Sequence, residues 1–215
     1  MLSLTPVSEN ALFCSPEHDS LSLPVQRKLW AFAEAVRRLP DTAEAVVGMN
    51  NLTVFHRHGS RRDALCERLQ QLWHDTEAAE FQGKHISIPV SYGGADGADL
   101  HEVAAFHGIS AEEVVARHTA PTYTVFMMGF QPGFPYLFGL PKHLHTPRRD
   151  VPRTEVPAGS VGIGGSQTGV YPFASPGGWQ IIGRTVQPLF QAAAQPPTLL
   201  AAGDTVSFTV ASFHG

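Results

Sequence analysis

The chain has 215 residues, of which 43% are apolar and only 16% charged, against the ~25% charged residues usual for globular proteins. That length suits one large or two small domains, and the apolar share excludes a disordered chain. A formal net charge of −4 argues against a general binder of nucleic acid or anionic membrane, because such proteins are basic.

The first 90 residues alternate strand and helix signals. Asn10–Cys14 reads as a short strand. Ser22 as N-cap and Pro24 in the first turn then open a helix. Its buried face is Val25, Leu29, Phe32, Val36 and Leu39, and Pro40 ends it. Ala45–Gly48 and Leu52–His56 form two runs joined at Met49-Asn50-Asn51, a hairpin signal. Ser60 and Asp63 cap a second helix carrying Leu65, Leu69 and Leu72. His85–Tyr92, with Ile86, Ile88 and Val90 in alternation, reads as a closing strand. The order β-α-β-β-α-β is the split-βαβ, ferredoxin-like arrangement. The fold class expected is therefore α+β, with a first domain over residues 1–88.

Residues 99–119 read as a helical hairpin. Asp99 with Glu102, and Ser110 with Glu113, form two capping boxes, and Gly108 ends the first helix. The hairpin imitates a DNA-binding helix-turn-helix. Its second helix begins Ser110-Ala111-Glu112-Glu113 and has Arg117 as its only Lys or Arg. Such a helix offers almost nothing to bases or phosphates, so a structural role is favoured. From Thr122 onward short apolar runs are separated by Gly and Pro; residues 121–190 hold 11 Gly and 10 Pro. That punctuation belongs to a β-barrel or sandwich, which sets the second domain at residues 89–215.

Charge is distributed unevenly. Residues 1–113 hold 16 Asp or Glu and 9 Lys or Arg, whereas residues 114–215 hold 3 and 6. Residues 142–153 concentrate Lys142, His143, His145, Arg148, Arg149 and Arg153. Guanidinium groups grip carboxylate and phosphate, and few acids lie nearby in sequence to pair with them, so an anion site is favoured over a solvated basic loop. The densest glycine loop, Gly162 to Gly169, lacks the Lys of a Walker A loop, the spacing of a dinucleotide fingerprint and the second Gly of a nucleophile elbow. Its backbone N–H groups either cradle an anion or simply make a tight turn. His143-x-His145 lacks an apparent third metal ligand. Cys14 and Cys66 make neither a disulfide framework nor a zinc site. With no signal peptide and no apolar span, a cytoplasmic protein is expected.

One further feature is the order of motifs in the C-terminal half. Phe130-Gln131-Pro132-Gly133-Phe134-Pro135-Tyr136-Leu137 is followed by Thr146-Pro147-Arg148-Arg149, Pro152-Arg153 and Val156-Pro157-Ala158-Gly159-Ser160-Val161-Gly162-Ile163. Gln167-Thr168-Gly169-Val170-Tyr171-Pro172, Ser175-Pro176-Gly177-Gly178-Trp179 and Ile182-Gly183-Arg184-Thr185 complete the set. In this order they resemble the KipI family, the B-type subunits of 5-oxoprolinase, formerly called allophanate hydrolase subunit 1, a carboxyltransferase domain with subdomains C and D. The resemblance implies a ferredoxin-like domain followed by a cyclophilin-like β-barrel. It also implies a KipA-type partner and a third component of LamB/YcsF type, which together hydrolyse 5-oxoproline to glutamate with ATP. Relatives serve as the carboxyltransferase half of urea amidolyases, and another inhibits a sensor histidine kinase as a pure binding module. On the enzyme reading, Arg148, Arg153 and Gln167 are the catalytic candidates. Arg149, Gly164, Gly165, Tyr171 and Ser175 are the substrate- or anion-binding candidates. ATP with Mg²⁺ would be bound largely through the partner, with no cofactor held by this chain alone.

Overall fold

The computed structural model describes residues 1–17, 20–78, 80 and 83–215. They fall into two compact units, Met1–Phe81 and Gln82–Gly215. Among the described residues no helix is long and apolar enough to cross a membrane.

The first unit is a four-stranded antiparallel sheet backed by two helices. Its elements are β1 (Leu2–Ser8), β2 (Ala11–Pro16), α1 (Leu23–Arg37), β3 (Thr42–Val47), β4 (Leu52–His56) and α2 (Arg62–Asp75), and its sheet order is β1-β2-β4-β3. The Ser22 hydroxyl caps α1 by accepting from the Val25 N–H. Leu29, Phe32 and Val36 of α1 are fully buried against Leu12, Leu52 and Val54 of the sheet and Leu69 of α2, each contributing about 1.5–3 kcal/mol. Asn50 takes a left-handed φ of 55° at the β3–β4 turn. Its side chain accepts from Ser22 N and donates to Ser22 O, which ties the turn to the start of α1. Two expectations need correction here. α2 has no side-chain cap: its N-cap position is Arg61, and Ser60, one residue earlier, donates to Asp41. The sheet's fourth strand is β1, at the start of the chain, and not His85–Tyr92. The sheet therefore has the split-βαβ order with its edge strand supplied from the other end of the sequence.

The second unit begins with the strand expected in the first. This strand, β5 (His85–Gly93), spans the expected break after residue 88 and lies wholly in the barrel. Two helices follow, α3 (Leu100–His107) and α4 (Ala111–Thr119), then the strands β6 (Tyr123–Met128), β7 (Pro135–Phe138), β8 (Arg153–Val156), β9 (Ser160–Gly164), β10 (Gln167–Val170), β11 (Ser175–Gly177), β12 (Gln180–Arg184) and β13 (Thr205–His214). The barrel closes in the order β10-β7-β6-β13-β5-β12-β9, while β8 and β11 form a separate two-stranded sheet. The first and last strands of the unit, β5 and β13, run parallel along most of their length, from Thr205 opposite His85 to His214 opposite Gly93. The helical hairpin forms where expected: Gly108 ends α3 at φ 64° and the Ser110 hydroxyl caps α4 by accepting from Glu113 N, but the Glu113 carboxylate pairs with Arg117 and does not complete a capping box.

The barrel interior is filled. Tyr92, Tyr123, Phe208 and Leu137 are buried there around His118, which has no exposed surface. The Thr168 hydroxyl donates to Gly162 O (2.9 Å), so it accepts from His118 Nε2 (3.0 Å). That leaves His118 Nδ1 to accept from the Tyr92 hydroxyl at 2.9 Å. Tyr123 donates to the His118 carbonyl at 2.6 Å. Burial pushes the His118 pKa down to about 3, so the ring is neutral. An unfolded His titrates near 6.5. The unfolded state therefore binds a proton that the folded state refuses, and stability is lost as pH falls through 6.5 towards 3. Between pH 7 and pH 5 His118 alone should cost about 2 kcal/mol. Urea unfolding at the two pH values checks the loss. Imidazole ¹⁵N shifts at pH 5 should still show a neutral ring protonated on Nε2; an imidazolium signal would refute the assignment.

Candidate functional site

The site is organised by one carboxylate. Asp99 precedes α3, but its side chain does not cap that helix. It accepts from Arg153 Nη1 (2.8 Å) and Nη2 (2.6 Å), from Arg149 Nη1 (2.8 Å) and from the Ile181 N–H (2.6 Å). In return the Asp99 N–H donates to Ile181 O at 2.8 Å. The Asp99 side chain is only 1% exposed. Its hydrogen bond and charge hold the Arg153 guanidinium above its ordinary pKa. Glu102 adds a longer contact to Arg149 at 3.4 Å. This corrects two expectations: Asp99 and Glu102 are not a capping box, and the basic segment does have acids beside it. Both acids come from α3 and the turn before it, some fifty positions away in sequence, so local composition did not show them.

Arg148 is oriented differently. It is exposed, makes no salt bridge among the described residues, and lies with its guanidinium 5.9 Å from the centre of the Trp179 ring, within cation–π range. Trp179 belongs to a cluster with Phe134, Tyr171, Val156 and Ile181, with Tyr136 at its edge. Rings meet edge to face, Phe134 with Tyr171 at 5.2 Å and with Trp179 at 5.5 Å. The glycines of the loop serve this packing. A Cβ on Gly164 would lie 2.5 Å from the Trp179 ring, and one on Gly169 2.7 Å from Pro135 O. Gly165 has φ 65°, and its N–H is taken by Thr146 O at 2.8 Å. The loop makes a tight turn at Gly165.

Gln167 pairs through its backbone with Gly164 in the β9–β10 hairpin. Tyr171 is 2% exposed and packs on Gly177, where a Cβ would sit 2.5 Å from its hydroxyl. Ser175 lies on β11, and its hydroxyl donates to Pro176 O. His145 directs Nε2 to Leu140 O at 3.0 Å. Among the described residues no three His, Cys, Asp or Glu side chains are grouped to hold a metal.

Beside Asp99 lies an open cleft of about 580 Å³, walled by Arg148, Arg149, Gln180, Thr146, Glu102 and Phe106. Two shielded atoms of its walls have no hydrogen-bond partner, Arg149 Nε and Gln180 Oε1. An unmade bond of this kind costs about 1–3 kcal/mol. Gln180 was not among the sequence candidates. It stands one residue past the Trp179 motif, and nothing in its spacing distinguishes it.

A closed seven-stranded barrel carrying a helical hairpin and a cation-walled cleft, in a chain with a separate split-βαβ unit, defines the architectural class. Residues 2–200 match the family "Carboxyltransferase domain, subdomain C and D", and the chain belongs to it. It is 55% identical over 209 residues to the B-type subunit of 5-oxoprolinase from Haemophilus influenzae, covering 97% of this chain and 98% of that one. The crystal structure of TTHA0988 superimposes with a TM-score of 0.80 at 35% identity over 94% of this chain and 40% of the other, so the chain spans about two fifths of that protein. The K. lactis urea amidolyase has the same fold, with a TM-score of 0.84 at 18% identity over 98% of this chain and 15% of its own.

Removing one partner of a buried ion pair leaves uncompensated charge and costs about 3–5 kcal/mol. Asp99→Asn, which keeps the shape and removes the charge, should destabilise the chain by that amount in urea unfolding, whereas Arg148→Ala should stay within about 0.5 kcal/mol. A cost below about 1 kcal/mol for Asp99→Asn would contradict the central role given to this carboxylate.

Proposed function

We propose that this chain is one component of an ATP-dependent 5-oxoprolinase, converting 5-oxo-L-proline, ATP and water to L-glutamate, ADP and phosphate. The observation that carries the reading is the 55% identity, over nearly the whole of both chains, to a protein named as a 5-oxoprolinase subunit. The word "subunit" in that name supports an assembly, and the partners proposed are a KipA-type chain and a LamB/YcsF-type chain. The urea amidolyase likeness, at 18% identity, supports the fold and no more.

The chemistry of the cleft is compatible. A lactam resists hydrolysis because amide resonance must be broken, and phosphorylation of the amide oxygen converts it to a leaving group. Such a site must neutralise charge on the substrate carboxylate and on the phosphate. Arg148 is the cation in the cleft with no carboxylate partner among the described residues, and Arg149 and Arg153 fix the wall beside it through Asp99. Among the described residues no three His, Cys, Asp or Glu side chains are grouped to hold a metal by themselves. The reading assigns Mg²⁺ and nucleotide binding largely to the partner, in the cytoplasm where ATP is supplied. Arg153, proposed from sequence as catalytic, acts on this reading by positioning, because its fork is occupied by Asp99. Gln167, also proposed from sequence as catalytic, is not among the residues that line the cleft with Arg148.

The test is 5-oxoproline-dependent ATP hydrolysis by the pure chain and by the co-purified assembly. The pure chain should show none and the assembly should turn over. In the assembly, Arg148→Ala should lower kcat/KM by more than tenfold, about 1.4 kcal/mol, without changing Tm. No turnover with all components present would reject the enzyme reading and leave the kinase-binding module.

A further inference from the structure

We infer that Phe130, Phe173 and Phe190 form an uncharged docking face for an unlike protein chain with an apolar surface, the second component of the assembly proposed above. The inference rests on that assembly and adds to it the surface that makes the contact.

The face is built from three loops of the second unit. Phe130 is 60% exposed and Phe173 40% exposed. The Phe173 and Phe190 rings lie 5.5 Å apart. Phe190 packs on Gly133, where an added Cβ would come within 3.0 Å of the Phe190 Cβ, so it borders the turn that carries Phe130. Phe130 in turn meets Phe134 at 5.5 Å and Tyr171, two residues before Phe173, at 6.2 Å. A hollow of about 340 Å³ opens beside Phe173 and Phe190, walled by their chain neighbours Pro172 and Leu189 and by Pro188 and Val186. Val186 is 96% exposed. Exposed rings beside an apolar hollow have the form of an interface centre, where aromatic anchors carry most of the affinity.

Three observations define the occupant. Phe130 takes a left-handed φ of 64°, which its Cβ makes unfavourable. The turn around it is held by Gln131 N donating to Gly129 O at 2.7 Å and Phe134 N donating to Gln131 O at 3.0 Å. Glycine would make this turn without strain, and the strained residue instead displays a ring to solvent. Next, residues 119–141, 156–183 and 185–203 contain no Asp, Glu, Lys, Arg or His. Arg184, at the rim of the hollow, is engaged with Ala158 O and Asp96. A charged surface set against this face would lose its hydration and find no counter-charge, so the occupant is apolar. Finally, this fold accounts for 40% of the TTHA0988 polypeptide, and the other three fifths are tethered to it in one chain. That arrangement favours an unlike partner over a second copy.

The experiment titrates the full chain with the purified KipA-type chain, by calorimetry and by amide hydrogen exchange. Phe130→Asn suits the left-handed backbone and should weaken association at least tenfold with Tm unchanged or raised. Phe130→Asn combined with Phe173→Ser should weaken it further. In the wild type, amides within residues 129–134 and 186–191 should exchange at least fivefold more slowly in the complex. Full affinity in the double variant, or unchanged exchange in both loops, overturns this inference and leaves the enzyme reading intact where the assembly turns over 5-oxoproline. A wild type that does not associate overturns the assembly itself. A dimer of the pure chain that Phe130→Asn dissolves, or wild-type binding to phosphatidylcholine vesicles that the variant loses, overturns the choice of occupant. Should the double variant fail to fold, the exchange measurement on the wild type decides.

Discussion

A single buried carboxylate accepting four N–H bonds determines how the functional wall is built. Asp99 is almost without solvent contact, and a charge in that position is tolerable only when fully paired. Its partners come from two separate segments, the basic stretch of residues 149–153 and the start of β12 at Ile181. None of these can be placed independently. The turn before α3, the course of the basic segment and the entry of β12 are therefore settled together. A consequence is division of labour within three neighbouring cations: Arg149 and Arg153 are committed to the scaffold, while Arg148, adjacent in sequence, faces Trp179 and the cleft.

The glycines have a similar logic. A dense glycine loop in sequence suggests backbone groups offered to a ligand. Here Gly162, Gly164 and Gly169 make room for rings: Trp179 lies where a side chain on Gly162 or Gly164 would be, and Phe134 borders Gly169. The missing side chains let an aromatic cluster pack closely on the barrel strands, and that cluster presents the ring over which Arg148 sits. Ligand chemistry is one step removed from the glycines, carried by what they allow to pack.

What was legible in the sequence was whatever is decided locally. The α1 face, the Asn50 turn, the Ser110 cap and the Gly108 stop depend on residues a few positions apart, and all are found where the pattern put them. The alternation of Ile86, Ile88 and Val90 identified a strand correctly, but alternation does not name a partner. β5 pairs with β13, about 120 positions later, and with β12, so its assignment to the first sheet failed. β1 was missed because Pro6 interrupts a short, weakly alternating run. The site divides in the same way. Clustered arginines raised the expectation of an anion site, but which of them would be neutralised depended on Asp99, a pairing across fifty residues with no local trace.

Two of the buried titratable groups of the barrel unit, His118 and Asp99, are both fully engaged by hydrogen bonds. His118 is kept neutral, with both ring nitrogens and its carbonyl engaged by Thr168, Tyr92 and Tyr123. It has no free lone pair and no route to solvent, so it cannot serve as a base despite its strongly lowered pKa. Asp99 accepts from two guanidinium groups and the Ile181 N–H and is likewise saturated. A catalytic group needs spare hydrogen-bonding capacity, and neither of these buried groups has any to offer. Unspent capacity is found on the cleft wall at Arg148, which is exposed and has no salt-bridge partner among the described residues. The closed barrel thus acts as a satisfied support, and the wall held in register by Asp99 carries the guanidinium still able to bind.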